Sequence, residues 1–97
     1  MDEIEPLHTT VTKTIQTIAG LVVMEDHVGF PRSGSNLYCV SDKGKIVWFA
    51  EKPEPGGLFN RVMLSQGGVA LATYTITGHA CDIDLMTGKL LSQVKMQ

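Results

Sequence analysis

Runs of a single charge are missing from this chain. Its 97 residues carry eight lysines and arginines against ten acidic residues, for a net charge of −2. Proteins that wrap nucleic acid concentrate basic groups on one face, where they displace counterions from phosphates. Here Lys43 and Lys45 merely flank a turn, so a nucleic-acid partner is not expected. Long apolar runs are missing too. "IAGLVVM" falls far short of the roughly 20 residues needed to cross a bilayer. The opening "MDEIEPLH" is acidic and has neither the basic region nor the apolar stretch of a signal peptide. A cytoplasmic protein with no membrane partner is expected.

Cysteine is scarce. Cys39 and Cys81 are the only two, with no C-x-x-C spacing to suggest a zinc site. A reducing compartment would keep them as thiols. Both lie among apolar strand residues, which suits packing rather than reactivity, since a reactive thiol needs an accessible, electropositive setting. No P-loop, dinucleotide fingerprint or nucleophile elbow occurs. No cofactor, no metal and no catalytic residue is assigned.

The composition that remains is that of a folded protein, 43% hydrophobic and 19% charged. A chain of this length buries roughly 60–70% of its unfolded surface, so its core is thin and a second copy would add to it. Turn signals recur closely: "PRSGSN" from Pro31, "DKG" at Asp42, "PEPGG" from Pro53, "QGG" at Gln66 and "MTG" at Met86. The short runs between them are rich in Val, Ile, Thr, Tyr and Leu. That pattern predicts an all-β domain over 1–97, an antiparallel meander of about eight short strands. Strands are expected near 21–28, 36–41, 45–51, 59–65, 68–76, 79–84 and 89–95. Residues 9–19 are ambiguous. Val11, Ile15, Ile18 and Val22 recur at helical spacing, whereas the threonines and Gly20 favour a strand, which is preferred.

The two halves echo one another. "GLVVM" from Gly20 resembles "GVALA" from Gly68, and "YCVSD" from Tyr38 aligns with "ACDID" from Ala80, setting Cys39 against Cys81. "GKIV" then aligns with "GKLL" if the second turn is two residues longer. The division is a tail at 1–8, a first four-stranded repeat at 9–52 and a second at 58–97. A period of 40-odd residues with four strands per unit is that of propeller blades.

The turn residues carry a resemblance. Quinoprotein-type β-propeller blades, and the related pyrroloquinoline-quinone-like repeats, bear A-x-D-x-x-T-G-x-x-x-W across their last two strands. "DIDLMTGKLLS" supplies Asp84, Thr87 and Gly88, with Asp82 in the Ala position and Ser92 in the Trp position. "VSDKGKIVW" supplies Asp42, Gly44 and Trp48. The resemblance implies that these residues shape the outer hairpin of a blade and that Trp48 packs between blades. Two blades cannot close a propeller of roughly four to eight. A ring completed by homo-oligomerisation is therefore expected, the alternative being a small barrel or sandwich within one chain.

The loop at 25–36, "EDHVGFPRSGSN", is the main length difference between the halves. Loops on rigid scaffolds carry binding function, and an aromatic with an arginine suits a protein hot spot or a sugar face. Phe30, Arg32 and Trp48 are accordingly the candidate ligand-binding residues. Glu25 and His27 share one side of a strand, but two groups make a poor metal site and a solvated strand end is favoured. Asp82 and Asp84 also alternate onto one face, although Asp84 is committed to its turn. The expected function is a non-enzymatic, self-assembling binding module. One alternative is a small lectin-like carbohydrate binder. Another is a small enzyme using Asp82, Asp84 or His27 at a subunit interface.

Overall fold

The structure, a computed structural model, describes residues 5–65 and 67–96. Every regular element among them is a strand: β1 (Val11–Thr17), β2 (Gly20–Glu25), β3 (Leu37–Val40), β4 (Ile46–Phe49), β5 (Phe59–Leu64), β6 (Ala70–Thr75), β7 (His79–Asp84) and β8 (Leu90–Lys95). The all-β expectation holds, and no helix long and apolar enough to cross a membrane occurs among the described residues. The ambiguous segment at 9–19 contains β1, as its threonines and β-branched residues favour.

The strands form two antiparallel four-stranded meanders, β1-β2-β3-β4 and β5-β6-β7-β8. No strand crosses from one sheet to the other, and the sheets do not close into a barrel. They lie face to face.

Strand alternation decides which side chains meet. Val22, Met24, Leu37, Cys39 and Trp48 of the first sheet share a core with Phe59, Val62, Leu71, Cys81 and Ile83 of the second. Leu37, Phe59, Leu71 and Ile83 are completely or almost completely buried there, each contributing about 1.5–3 kcal/mol. Val23, Tyr38 and Val40 make a smaller cluster on the opposite face of the first sheet, with Val11 and Leu21 against it.

The two meanders repeat each other's irregularities. The β1–β2 ladder is bulged between Val11 and Lys13, and the β5–β6 ladder between Phe59 and Arg61. The β3–β4 ladder is bulged after Cys39↔Trp48, and the β7–β8 ladder after Asp82↔Ser92. Matching these bulges equates the cross-strand row Ile15–Val22–Cys39–Trp48 with Met63–Ala72–Asp82–Ser92. Cys39 thus corresponds to Asp82 and not to Cys81. The sequence echo is out by one residue, and a one-residue slip turns every side chain to the other face.

The hairpin turns correct the echo in the same way. Ser41 N–H donates to the Lys45 carbonyl at 2.8 Å, and Asp84 N–H to that of Lys89 at 2.8 Å. The residue at the head of the first turn is therefore Ser41, not Asp42. Its hydroxyl accepts the amides of Lys43 and Lys45, each at 3.2 Å. Asp84 does as expected, accepting the Thr87 amide at 3.0 Å and the Thr87 hydroxyl at 2.7 Å. Gly44 and Gly88 close the two turns at φ of 80° and 76°, where a side chain would be strained.

Candidate functional site

The joint between the sheets is built from three polar devices around the apolar core. Asn36, fully buried just before β3, presents its amide to the backbone of Phe59. Its Nδ2 donates to the Phe59 carbonyl at 2.7 Å, and its Oδ1 accepts the Phe59 amide at 2.8 Å. The side chain thereby does for the outer edge of β5 what a neighbouring strand would do. A second Nδ2 bond, to the Glu25 carbonyl at 2.7 Å, ties the same amide back to β2. Asn36→Ala is expected to lower stability by about 2 kcal/mol, because it leaves buried backbone groups of Phe59 unpaired. A urea midpoint equal to that of the parent chain would contradict this role.

Trp48 is the second device. Its indole is buried, its Nε1 donates to the Leu85 carbonyl at 2.9 Å, and its ring lies on Gly88. A Cβ added at Gly88 would stand 2.7 Å from two indole carbons, so only glycine admits the ring. The third device is Glu51. Its amide donates to the Gly88 carbonyl at 2.8 Å, and its Oε1 accepts the Leu90 amide at 2.9 Å.

Glu25 ends β2, and its carboxylate is fully buried where a solvated strand end was expected. It accepts the amides of Leu7 at 2.6 Å, His8 at 3.0 Å and Thr9 at 2.9 Å, together with the Tyr38 hydroxyl. Burial alone pushes this carboxyl up, but the Tyr38 hydroxyl and the three amides outweigh it and hold it below the ordinary range. Burial, with the carboxylate beside it, in turn pushes the Tyr38 phenol well up. Residues 7 and 8, assigned on sequence to a tail, are therefore fastened to the first sheet together with Thr9. Local patterning around Glu25 carries no sign of this, because its partners are backbone amides 16 to 18 residues away.

The 25–36 loop is folded back on itself by two tight turns. Phe30 N–H donates to the His27 carbonyl at 3.2 Å, and Gly34 N–H to that of Pro31 at 3.0 Å. Phe30 is buried, with the His8 ring edge-on at 4.9 Å. It lines a small hollow of about 410 Å³ with His8, Ser35, Phe49 and Lys52. Burial lowers the Lys52 ammonium, which donates to the Arg32 carbonyl at 2.6 Å. Neither Arg32 nor Trp48 lines this hollow. Arg32 is exposed on the loop, and Trp48 is spent in the joint. The three candidate ligand residues are thus dispersed, and the indole face is already covered.

Asp82, the two cysteines and His79 sit in structural surroundings. Asp82 accepts the Ser92 hydroxyl at 2.9 Å on the open face of the second sheet. Cys39 and Cys81 are free, buried thiols in the shared core, and burial pushes both up. His79 packs beside Thr77, with Glu54 at 3.8 Å. No group of three potential metal ligands occurs among the described residues. Neither a family model, a curated protein nor a solved structure matches the chain significantly.

Proposed function

We propose that this chain is a non-enzymatic binding module of the cytoplasm, made of two propeller-type blades and self-associating head to tail. The observation that carries this reading is the matched pair of bulged meanders. The first sheet applies its Ile15–Val22–Cys39–Trp48 face to the second, and the corresponding face of the second sheet, Met63–Ala72–Asp82–Ser92, is left open. At the other end of the molecule, the far face of the first sheet is buried at its centre and exposed along β4. That face corresponds to the one the second sheet buries, and it carries Val23, Tyr38 and Val40 with half-exposed Ile46 and Phe49. Repeating the internal stacking from copy to copy covers the open face of the second sheet and the exposed β4 margin of the first. Three chains would give a six-bladed ring, within the usual range for propellers. The likeness of the Asp84–Thr87–Gly88 turn and of Trp48 to quinoprotein-type blades supports the same stacking.

The joint between copies differs from the joint within the chain. Ser92 stands where the first sheet has Trp48, and Asp82 where it has Cys39. Gly44, the counterpart of Gly88, has nothing within 4 Å of the place a Cβ would take. Association is therefore weaker than the internal packing and dependent on concentration. Sedimentation equilibrium across micromolar to millimolar chain tests it: mass should rise toward a closed multiple, and a monomer throughout would overturn the proposal. Ser92→Trp supplies an indole opposite Gly44 and should tighten association at least tenfold.

A further inference from the structure

A groove of about 680 Å³ opens where β1 and β2 meet β5 and β6, within the size range of small-molecule sites. Its lining holds Lys13 and Arg61, the residues that directly follow the two matching bulges and so occupy equivalent positions in the two sheets. A bulge re-aims the side chain next to it. Neither cation is committed elsewhere. Among the described residues, neither side chain makes a hydrogen bond, and the one ion pair is that between His79 and Glu54.

The acidic residues of the groove are already occupied. Glu25 is saturated by its three amides and Tyr38. Asp26 accepts the Val28 amide of its own loop at 3.0 Å. The rest of the lining includes Met63 and Tyr74, which offer a polarisable and an aromatic surface.

We infer that this groove binds a small organic anion, with Lys13 and Arg61 on its phosphate or carboxylate and Met63 and Tyr74 against a planar or apolar body. Charge-assisted bonds to the two cations orient the anionic end. The arginine fork and the lysine point charge suit either oxyanion. Both sheets of one chain supply the site, but Arg61, Met63 and Tyr74 stand on the second-sheet face proposed for self-association, so binding is read at chain concentrations where the monomer prevails.

The test is an NMR titration of the full-length chain, following backbone amides. Adenosine monophosphate probes the phosphate source, indole-3-acetate the carboxylate source, and uncharged adenosine serves as control. Saturable shifts centred on Lys13, Arg61, Met63 and Tyr74 are expected with at least one anion and not with adenosine. A response to one anion alone identifies its oxyanion as the ligand group. The double variant Lys13→Gln/Arg61→Gln should weaken that binding at least tenfold, and Lys13→Arg/Arg61→Lys should keep it within about threefold. Both side chains are exposed, so thermal melts of both variants should match the parent. The inference fails if neither anion saturates these amides by about 10 mM, a free energy of only some 3 kcal/mol. It fails equally if the neutral double variant binds as the parent does.

Discussion

Trp48→Ala is expected to lower the stability of the chain by about 3–5 kcal/mol, the range for removing a large buried aromatic. In a thin two-sheet domain this is a large share of the total. The indole contributes twice, by filling the joint and by satisfying the Leu85 carbonyl through Nε1. Its seat can be tested from the other side. Gly88→Ala adds a methyl 2.7 Å from two indole carbons at a φ of 76°. Overpacking of that kind costs about 1–3 kcal/mol, and the left-handed backbone adds about 1–2. With the indole removed, only the backbone part remains. Urea unfolding of the two single variants and the double should therefore reveal a coupling above about 1 kcal/mol. Strictly additive losses would show that the ring does not rest on Gly88.

Glu25→Ala is expected to cost about 3 kcal/mol, since hydrogen bonds to a charged group are worth about 1.5–3 kcal/mol and several are lost together. The effect should depend on pH in a defined direction. The Glu25 carboxyl is held below its ordinary value of 4.5, so the folded chain binds this proton less tightly than the unfolded chain does. The stabilisation is complete above the ordinary value. It fades as the pH falls through 4.5 toward the lower, folded value. Urea midpoints measured between pH 7 and pH 3 should fall on the acid side, and Glu25→Gln should flatten that fall. Parallel curves for the two proteins would remove Glu25 from the account. Amide exchange at residues 7–9 should quicken in Glu25→Ala, because the carboxylate is their acceptor.

The strand pattern was legible because each strand is short, rich in β-branched residues and bounded by a turn signal. The run at 79–84 matches β7 residue for residue, and the run at 59–65 exceeds β5 by one. The register between the halves was harder. "YCVSD" and "ACDID" share a cysteine and an aspartate, and that identity drew Ser41 and Asp84 out of alignment. The matching hydrogen bonds are made by backbone, which leaves no mark in the letters. Only the positions of the bulges give the true correspondence. Trp48 was legible as a packing residue through the likeness to quinoprotein-type blades, although it was also a candidate ligand residue and its partner Gly88 gave no sign. Glu25 and Asn36 were illegible for a different reason. Both are polar residues in a loop-like context, and both are buried by backbone groups far along the chain. Their burial follows from the tertiary arrangement and from no local pattern.

Asn36, by standing in for a strand at the edge of β5, also decides how the molecule comes apart. Each meander is made from neighbours in sequence, so its ladders close short loops at small entropic cost. The hydrogen bonds that span the halves are few: Asn36 reaches 23 residues ahead, Trp48 reaches 37, and Glu51 meets Gly88 and Leu90. Strand pairing gives each sheet its own local stability, but the all-or-none character of unfolding rests on those bonds together with the shared apolar core. If the amide clasp and the indole are loosened, the cooperative unit divides. One transition becomes two, with each meander melting on its own terms.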